Sequence, residues 1–231
     1  MGVLLALLPS PLLGPATWAP VAAGLTRLGW EIVTPPVPQR APRTPDDVMR
    51  SFLAALPADR DLILVPHSNA GLYVPALTTR RRVAGYVFVD AGLPADGTSV
   101  ALAPPAFRDF LGGKADADGL LPPWTRWWDS PDVAALFPDA AARELVEREQ
   151  QRLPLSYFGG SLPVPGGWDE RPGAYLAFGD TYDSERKAAA ARGWRVATLP
   201  GQHLHTVVAP EQVAREMDAL LTAIGVRPGR G

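Results

Sequence analysis

The chain has 231 residues, 47% apolar and 20% charged, with 22 basic against 24 acidic side chains and a formal charge of −2. That composition suits a folded core and leaves no basic excess to neutralise a phosphate backbone, so a nucleic-acid partner is not expected. No cysteine is present, which excludes disulfides, thiol nucleophiles and Cys-zinc sites.

Residues 1–13 are apolar, but no Lys or Arg precedes Arg27, and Pro9 and Pro11 break the run. A signal peptide carries a basic flank and a membrane span needs about 20 apolar residues. The segment 3–8 therefore reads as a buried strand, and the protein as cytoplasmic with no membrane partner. Residues 17–28 have helical spacing, with Trp18, Val21, Leu25 and Leu28 on one face, Thr17 as N-cap and Gly29 as C′ residue. A strand is predicted at 30–33, a proline-rich loop at 35–45 and a helix at 46–56 that turns Val48, Phe52, Leu53 and Leu56 inward. Strand 61–65, helix 70–79 and strand 83–89 follow. The pattern resumes with strand 174–178, helix 184–192, strand 194–199 and helix 210–224. Strand–helix alternation of this kind marks a doubly wound, mostly parallel α/β sheet.

The alternation pauses for about eighty residues, too many for a simple loop. This stretch holds Trp124, Trp127, Trp128, Phe137, Tyr157, Phe158 and Trp168, and its clearest helix is 139–152. The expected organisation is a core of residues 1–91 and 172–225, an inserted helical cap at 92–171, and a flexible tail at 226–231.

The third strand ends in Pro66-His67-Ser68-Asn69-Ala70-Gly71, and a helix begins at once. A serine on such a turn is exposed at the carboxyl edge of the sheet, and the Asn69 amide next to it is placed to donate to an oxyanion. Serine is also a common helix N-cap, the plainer reading of the same string.

With Ser68 on this turn, the chain resembles the α/β-hydrolase superfamily over most of its length. Residues 5–21 resemble the family's first core strand, oxyanion loop and Trp-containing helix, and Ser68 matches its nucleophile elbow, with Pro66 and Ala70 where glycines are usual. Leu199-Pro200-Gly201-Gln202-His203, followed by Pro210-Glu211-Gln212-Val213, resembles the histidine loop and closing helix. The insertion falls where the family keeps its cap. The first strand here corresponds to what is usually the third, so the antiparallel edge hairpin is expected to be absent.

The resemblance implies a triad. Ser68 is the nucleophile and His203, in a Gly-containing turn after the last strand, is the base. His205 reads as solvent-exposed or bonded to backbone, and His67 as packing beside the nucleophile without taking a proton. Asp90, followed four residues later by Pro94 as in some haloalkane dehalogenases, is the favoured acid. Asp183 is the alternative, although its place before a helix suits an N-cap. His203-Leu204-His205 could form a metal pair, but no third ligand accompanies it, so no metal and no cofactor are expected.

One departure concerns the oxyanion loop, where the family's amide falls on Pro11, which has no N–H. Either Leu12 takes over or the hole keeps only the Asn69 amide. Trp124, Trp127 and Trp128 either line a substrate pocket or form the cap's own core, and Tyr73 and Asn69 are placed near the same cavity. The leading expectation is a serine hydrolase acting on a small apolar or aromatic carboxylic ester or related acyl compound. The rivals are a non-hydrolytic enzyme of the same fold, such as a cyclase, epimerase or lyase, and an inactive binding protein.

Overall fold

The computed structural model describes residues 2–229; Met1, Arg230 and Gly231 lie outside the described residues. Six strands form one sheet: β1 (Leu4–Leu8), β2 (Ile32–Val33), β3 (Leu62–Ser68), β4 (Val83–Ala91), β7 (Gly173–Phe178) and β8 (Arg195–Leu199). Their order is β2-β1-β3-β4-β7-β8 and every pairing is parallel. Among the described residues, no antiparallel edge hairpin joins this sheet.

Both faces of the sheet are covered, and the period-2 alternation of strand side chains divides the core in two. Leu5, Leu7, Ile63, Val65, Val87, Val89, Leu176 and Phe178 face α1 (Ala19–Arg27) and α8 (Pro210–Ala223). Ala6, Leu8, Leu62, Leu64, Tyr86, Phe88 and Tyr175 face the other way. There they meet α2 (Pro45–Ala55), α3 (Val74–Leu77) and α7 (Asp183–Ala191).

Residues 92–171 carry a two-stranded antiparallel pair, β5 (Ser99–Ala101) with β6 (Ser161–Pro163), and helices α4 (Pro105–Gly112), α5 (Ser130–Ala134) and α6 (Ala140–Glu149). None of these strands joins the main sheet. Their buried Leu102, Leu111, Leu121, Val133 and Tyr157 lie in the same apolar cluster as the second sheet face, so the insertion and the sheet close one core together.

Several local expectations change. Thr17 does not cap α1: its hydroxyl donates to the Gly14 carbonyl at 2.8 Å within a 3₁₀ turn (Pro15–Thr17), and Pro20 sets the first turn of the helix one residue later. Leu28 is 41% exposed, because the helix has already ended there. Gly29 does adopt the left-handed conformation of a C′ residue, with φ of 91°. The helix expected at 70–79 is a 3₁₀ turn (Asn69–Tyr73) followed by the four-residue α3, since Pro75 has no N–H to bond the Gly71 carbonyl. Of the expected tail, the Val226 N–H bonds the Leu221 carbonyl and its side chain packs on the first core. No described helix is long and apolar enough to cross a membrane.

Candidate active site

Two residues break the backbone rules. Among the described residues, Ser68 (φ 58°) and Asp90 (φ 42°) are the only non-glycine residues with positive φ. A left-handed non-glycine backbone costs energy and persists only where the surroundings impose it. At Ser68 the imposition is close packing: the Gly92 N–H bonds the Ser68 carbonyl at 3.0 Å, and Gly71 lies so near Gly92 that a Cβ would meet its carbonyl oxygen at 2.0 Å. At Asp90 it is a bulge. His67 pairs with Val89 but Ser68 pairs with Ala91, so Asp90 is an extra residue on β4. The Tyr175 hydroxyl pins the bulge, accepting from the Ala91 N–H and donating to the Ala91 carbonyl.

Ser68 does not use its hydroxyl as a helix cap. Asp90 is fully buried; its Oδ1 accepts from the Phe178 N–H at 2.9 Å and its Oδ2 bonds His203 Nδ1 at 2.7 Å. With the Nδ1–H donated to that carboxylate, the Nε2 lone pair of His203 is free to act as a base. His203 follows β8 and is itself buried. His67 stacks on it, ring centroids 4.6 Å apart and 23° from parallel, and the His67 Nε2–H donates to the His203 carbonyl at 2.9 Å. Burial, reinforced by His203 alongside, holds the His67 pKa well below the usual imidazole value, so the stack has one neutral ring.

Tyr182, half-buried in the loop after β7, joins Ser68 to His203. Its ring lies 5.6 Å from the imidazole and its hydroxyl sits beside that of Ser68. Burial raises its pKa, the Ser68 hydroxyl opposes the rise, and the phenol stays protonated. Asp183 lies elsewhere: it is the first residue of α7, makes no capping bond, and is paired with Arg186 and, at 2.6 Å, with Lys187. Those bonds hold its carboxyl below the usual carboxylate range. His203 is held by Asp90 and not by Asp183.

His205 is buried against Phe178, ring centroids 5.3 Å apart, neither solvent-exposed nor bonded to backbone through Nε2. Gly201 makes this possible, because a Cβ there would strike the ring at 2.5 Å. Among the described residues, no three His, Asp or Glu side chains converge in a way that could hold a metal.

The tryptophans separate. Trp124 packs 5.9 Å from the His203 ring and, with Trp128, lines a cavity of about 540 Å³ that reaches His203. Val133, Leu136 and Phe178 supply the rest of its apolar wall. Trp128 is 40% exposed and stacks on Phe110. Trp127 does not line that cavity; it packs on Phe107 and Phe158, and its Nε1–H bonds the Pro122 carbonyl at 2.8 Å. Trp127→Ala is therefore expected to cost about 3–5 kcal/mol of stability, whereas Trp124→Ala should raise KM with a smaller loss of stability. Thermal melts beside steady-state kinetics check this; unchanged kinetics in Trp124→Ala would detach it from the site.

Asn69 and Tyr73 face the insertion. Tyr73 and Tyr157 hydroxyls bond at 2.6 Å, the Tyr157 hydroxyl donates to Asn69 Oδ1 at 3.1 Å, and Asn69 Nδ2 donates to the Leu102 carbonyl at 3.4 Å. This chain ties the elbow to residues 92–171. Tyr157 belongs to the aromatic cluster of residues 92–171, whereas Tyr175 and Tyr182 carry no motif in the sequence.

No protein-family model matches the chain, and no curated protein matches it. Solved structures do. An extracellular α/β-hydrolase from a Paenibacillus species, described as sharing structural and functional homology with tobacco salicylic acid binding protein 2, matches with a TM-score of 0.74 and 19% identity, over 94% of this chain and 98% of its own. A pyrethroid hydrolase from Sphingobium faniae matches with a TM-score of 0.64 and 18% identity, over 96% and 98%. An Arabidopsis methylesterase matches with a TM-score of 0.58 and 16% identity, over 96% and 99%. The chain has the α/β-hydrolase fold.

Proposed function

We propose that the chain is a serine hydrolase acting on a small carboxylic ester or related acyl compound with an apolar or aromatic portion. The observation that carries this reading is the 2.7 Å bond from buried Asp90 to His203 Nδ1, formed where a strained turn presents Ser68. A buried carboxylate that fixes one imidazole tautomer supports general-base catalysis by the opposite nitrogen.

In this reading His203 Nε2 takes the Ser68 proton as Oγ bonds the substrate carbonyl carbon. The carbonyl electron pair moves onto oxygen, where the Asn69 N–H meets it. Collapse of this adduct breaks the bond to the leaving oxygen or sulfur, which receives the proton from His203. Water then repeats the sequence, releasing the acid and restoring Ser68. No metal or cofactor enters these steps. The Trp124 and Trp128 wall of the cavity beside His203 supports an apolar or aromatic group on the substrate. The neighbours named as a pyrethroid hydrolase and a methylesterase support ester chemistry.

The test is labelling of the folded protein with a fluorophosphonate, followed by mass mapping. Phosphonylation of Ser68 alone is expected, with loss of esterase activity in step. An unmodified Ser68 would overturn the reading and favour an inactive binding protein on this scaffold.

A further inference from the structure

Leu8 of β1 pairs with Pro66 of β3, which sets residues 9–11 level with His67, Ser68 and Asn69 at the carboxyl edge of the sheet. In a serine site of this fold, a second backbone donor to the oxyanion would have to come from the loop that starts there. Its N–H groups can be followed one by one. Pro9, Pro11 and Pro15 have none. The Leu12 N–H bonds the Ser10 hydroxyl oxygen at 3.3 Å, and those of Leu13 and Gly14 both bond the Ser10 carbonyl at 3.0 Å. The Ala16 N–H bonds the carboxylate of Glu149 at the end of α6. The loop is wound around fully buried Ser10, and among the described residues the Ser10 N–H is the single loop amide without a hydrogen-bond partner. Pro11 offers no N–H at the next position, and the Leu12 N–H is already engaged by the Ser10 hydroxyl.

We infer that this donor-poor loop restricts the site to acyl donors with good leaving groups, aryl esters and thioesters, at the expense of alkyl esters and amides. The inference rests on the serine-hydrolase reading. An acyl donor with a poor leaving group passes through a long-lived adduct with nearly full charge on the former carbonyl oxygen, and so leans on every donor of the hole. With a good leaving group the bond breaks early and less charge accumulates. A missing donor typically costs about 10²–10³ in rate where the oxyanion is fully developed. That cost falls on alkyl esters and spares aryl esters and thioesters.

The experiment measures kcat/KM for acetate esters of phenols of graded acidity, an acetyl thioester and ethyl acetate, each divided by its rate with hydroxide. A steep fall with leaving-group pKa is expected. Pro11→Gly restores an N–H, and Ser10→Ala releases the one on Leu12. Each should raise ethyl acetate turnover by about tenfold or more while leaving 4-nitrophenyl acetate nearly unchanged. A flat leaving-group dependence in the unaltered protein overturns the inference, as does an equal gain on both ester types in the variants. If the variants fold poorly, the slope in the unaltered protein decides. A Ser68 that neither labels with fluorophosphonate nor forms an acyl-enzyme with 4-nitrophenyl acetate defeats the hydrolase reading itself, which a flat slope on a labelled enzyme does not.

Discussion

Asp90→Asn is expected to lower kcat for ester hydrolysis by about 10³–10⁴-fold while the protein stays folded. The Asn amide can keep the Phe178 N–H on its oxygen, so the bulge on β4 retains its backbone partner. Its nitrogen, however, would face His203 Nδ1 as a donor. The imidazole must then carry its proton on Nε2, the nitrogen that has to accept from Ser68. Asp183→Asn removes only partly exposed pairings with Arg186 and Lys187, so it should leave kcat/KM unchanged and the melting temperature close to that of the unaltered chain. Single-turnover acylation of both variants, with circular dichroism as the check on folding, measures this. An active Asp90→Asn variant would remove Asp90 from the mechanism, and a dead Asp183→Asn variant would transfer the role.

The second large effect is at the nucleophile and separates chemistry from strain. Ser68→Ala and Ser68→Gly should each reduce kcat by about 10⁶-fold, the scale on which triad nucleophiles act. Their stabilities should differ. Alanine keeps a side chain at φ 58°, ψ −132°, so Ser68→Ala leaves the melting temperature close to that of the unaltered chain. Glycine occupies that region freely, and relief of strain is worth about 1 kcal/mol or more. For a chain of this length that raises the melting temperature by about 2–4 °C. Calorimetry of the three proteins tests it. A Ser68→Gly variant that melts below Ser68→Ala would mean that the turn is not strained, and turnover near that of the unaltered chain in either variant would remove Ser68 from the role of nucleophile.

The order of the core strands and the parallel sheet were legible in the chain itself. They depend on signals spanning a few residues: unbroken apolar runs for buried strands, helical spacing at Trp18, Val21 and Leu25, and a proline-rich break between residues 35 and 45. The string from Pro66 to Gly71 was legible as a turn presenting Ser68 for the same reason, since a strand must end and a helix begin within it. The choice between Asp90 and Asp183 was not. It depends on one extra residue in the β3–β4 register, which turns Asp90 toward a histidine 113 positions away. Nor could composition divide the three tryptophans, of which Trp124 meets His203, Trp127 fills the core of the insertion and Trp128 is half open to solvent. The His67 stack on His203, the Tyr175 clasp on the bulge and the Tyr182 hydroxyl beside Ser68 belong to the same class. Short-range pattern determines which element each residue joins. Which side chains meet across the sheet edge is decided by strand order, register and packing, and these exist only once the whole chain has folded.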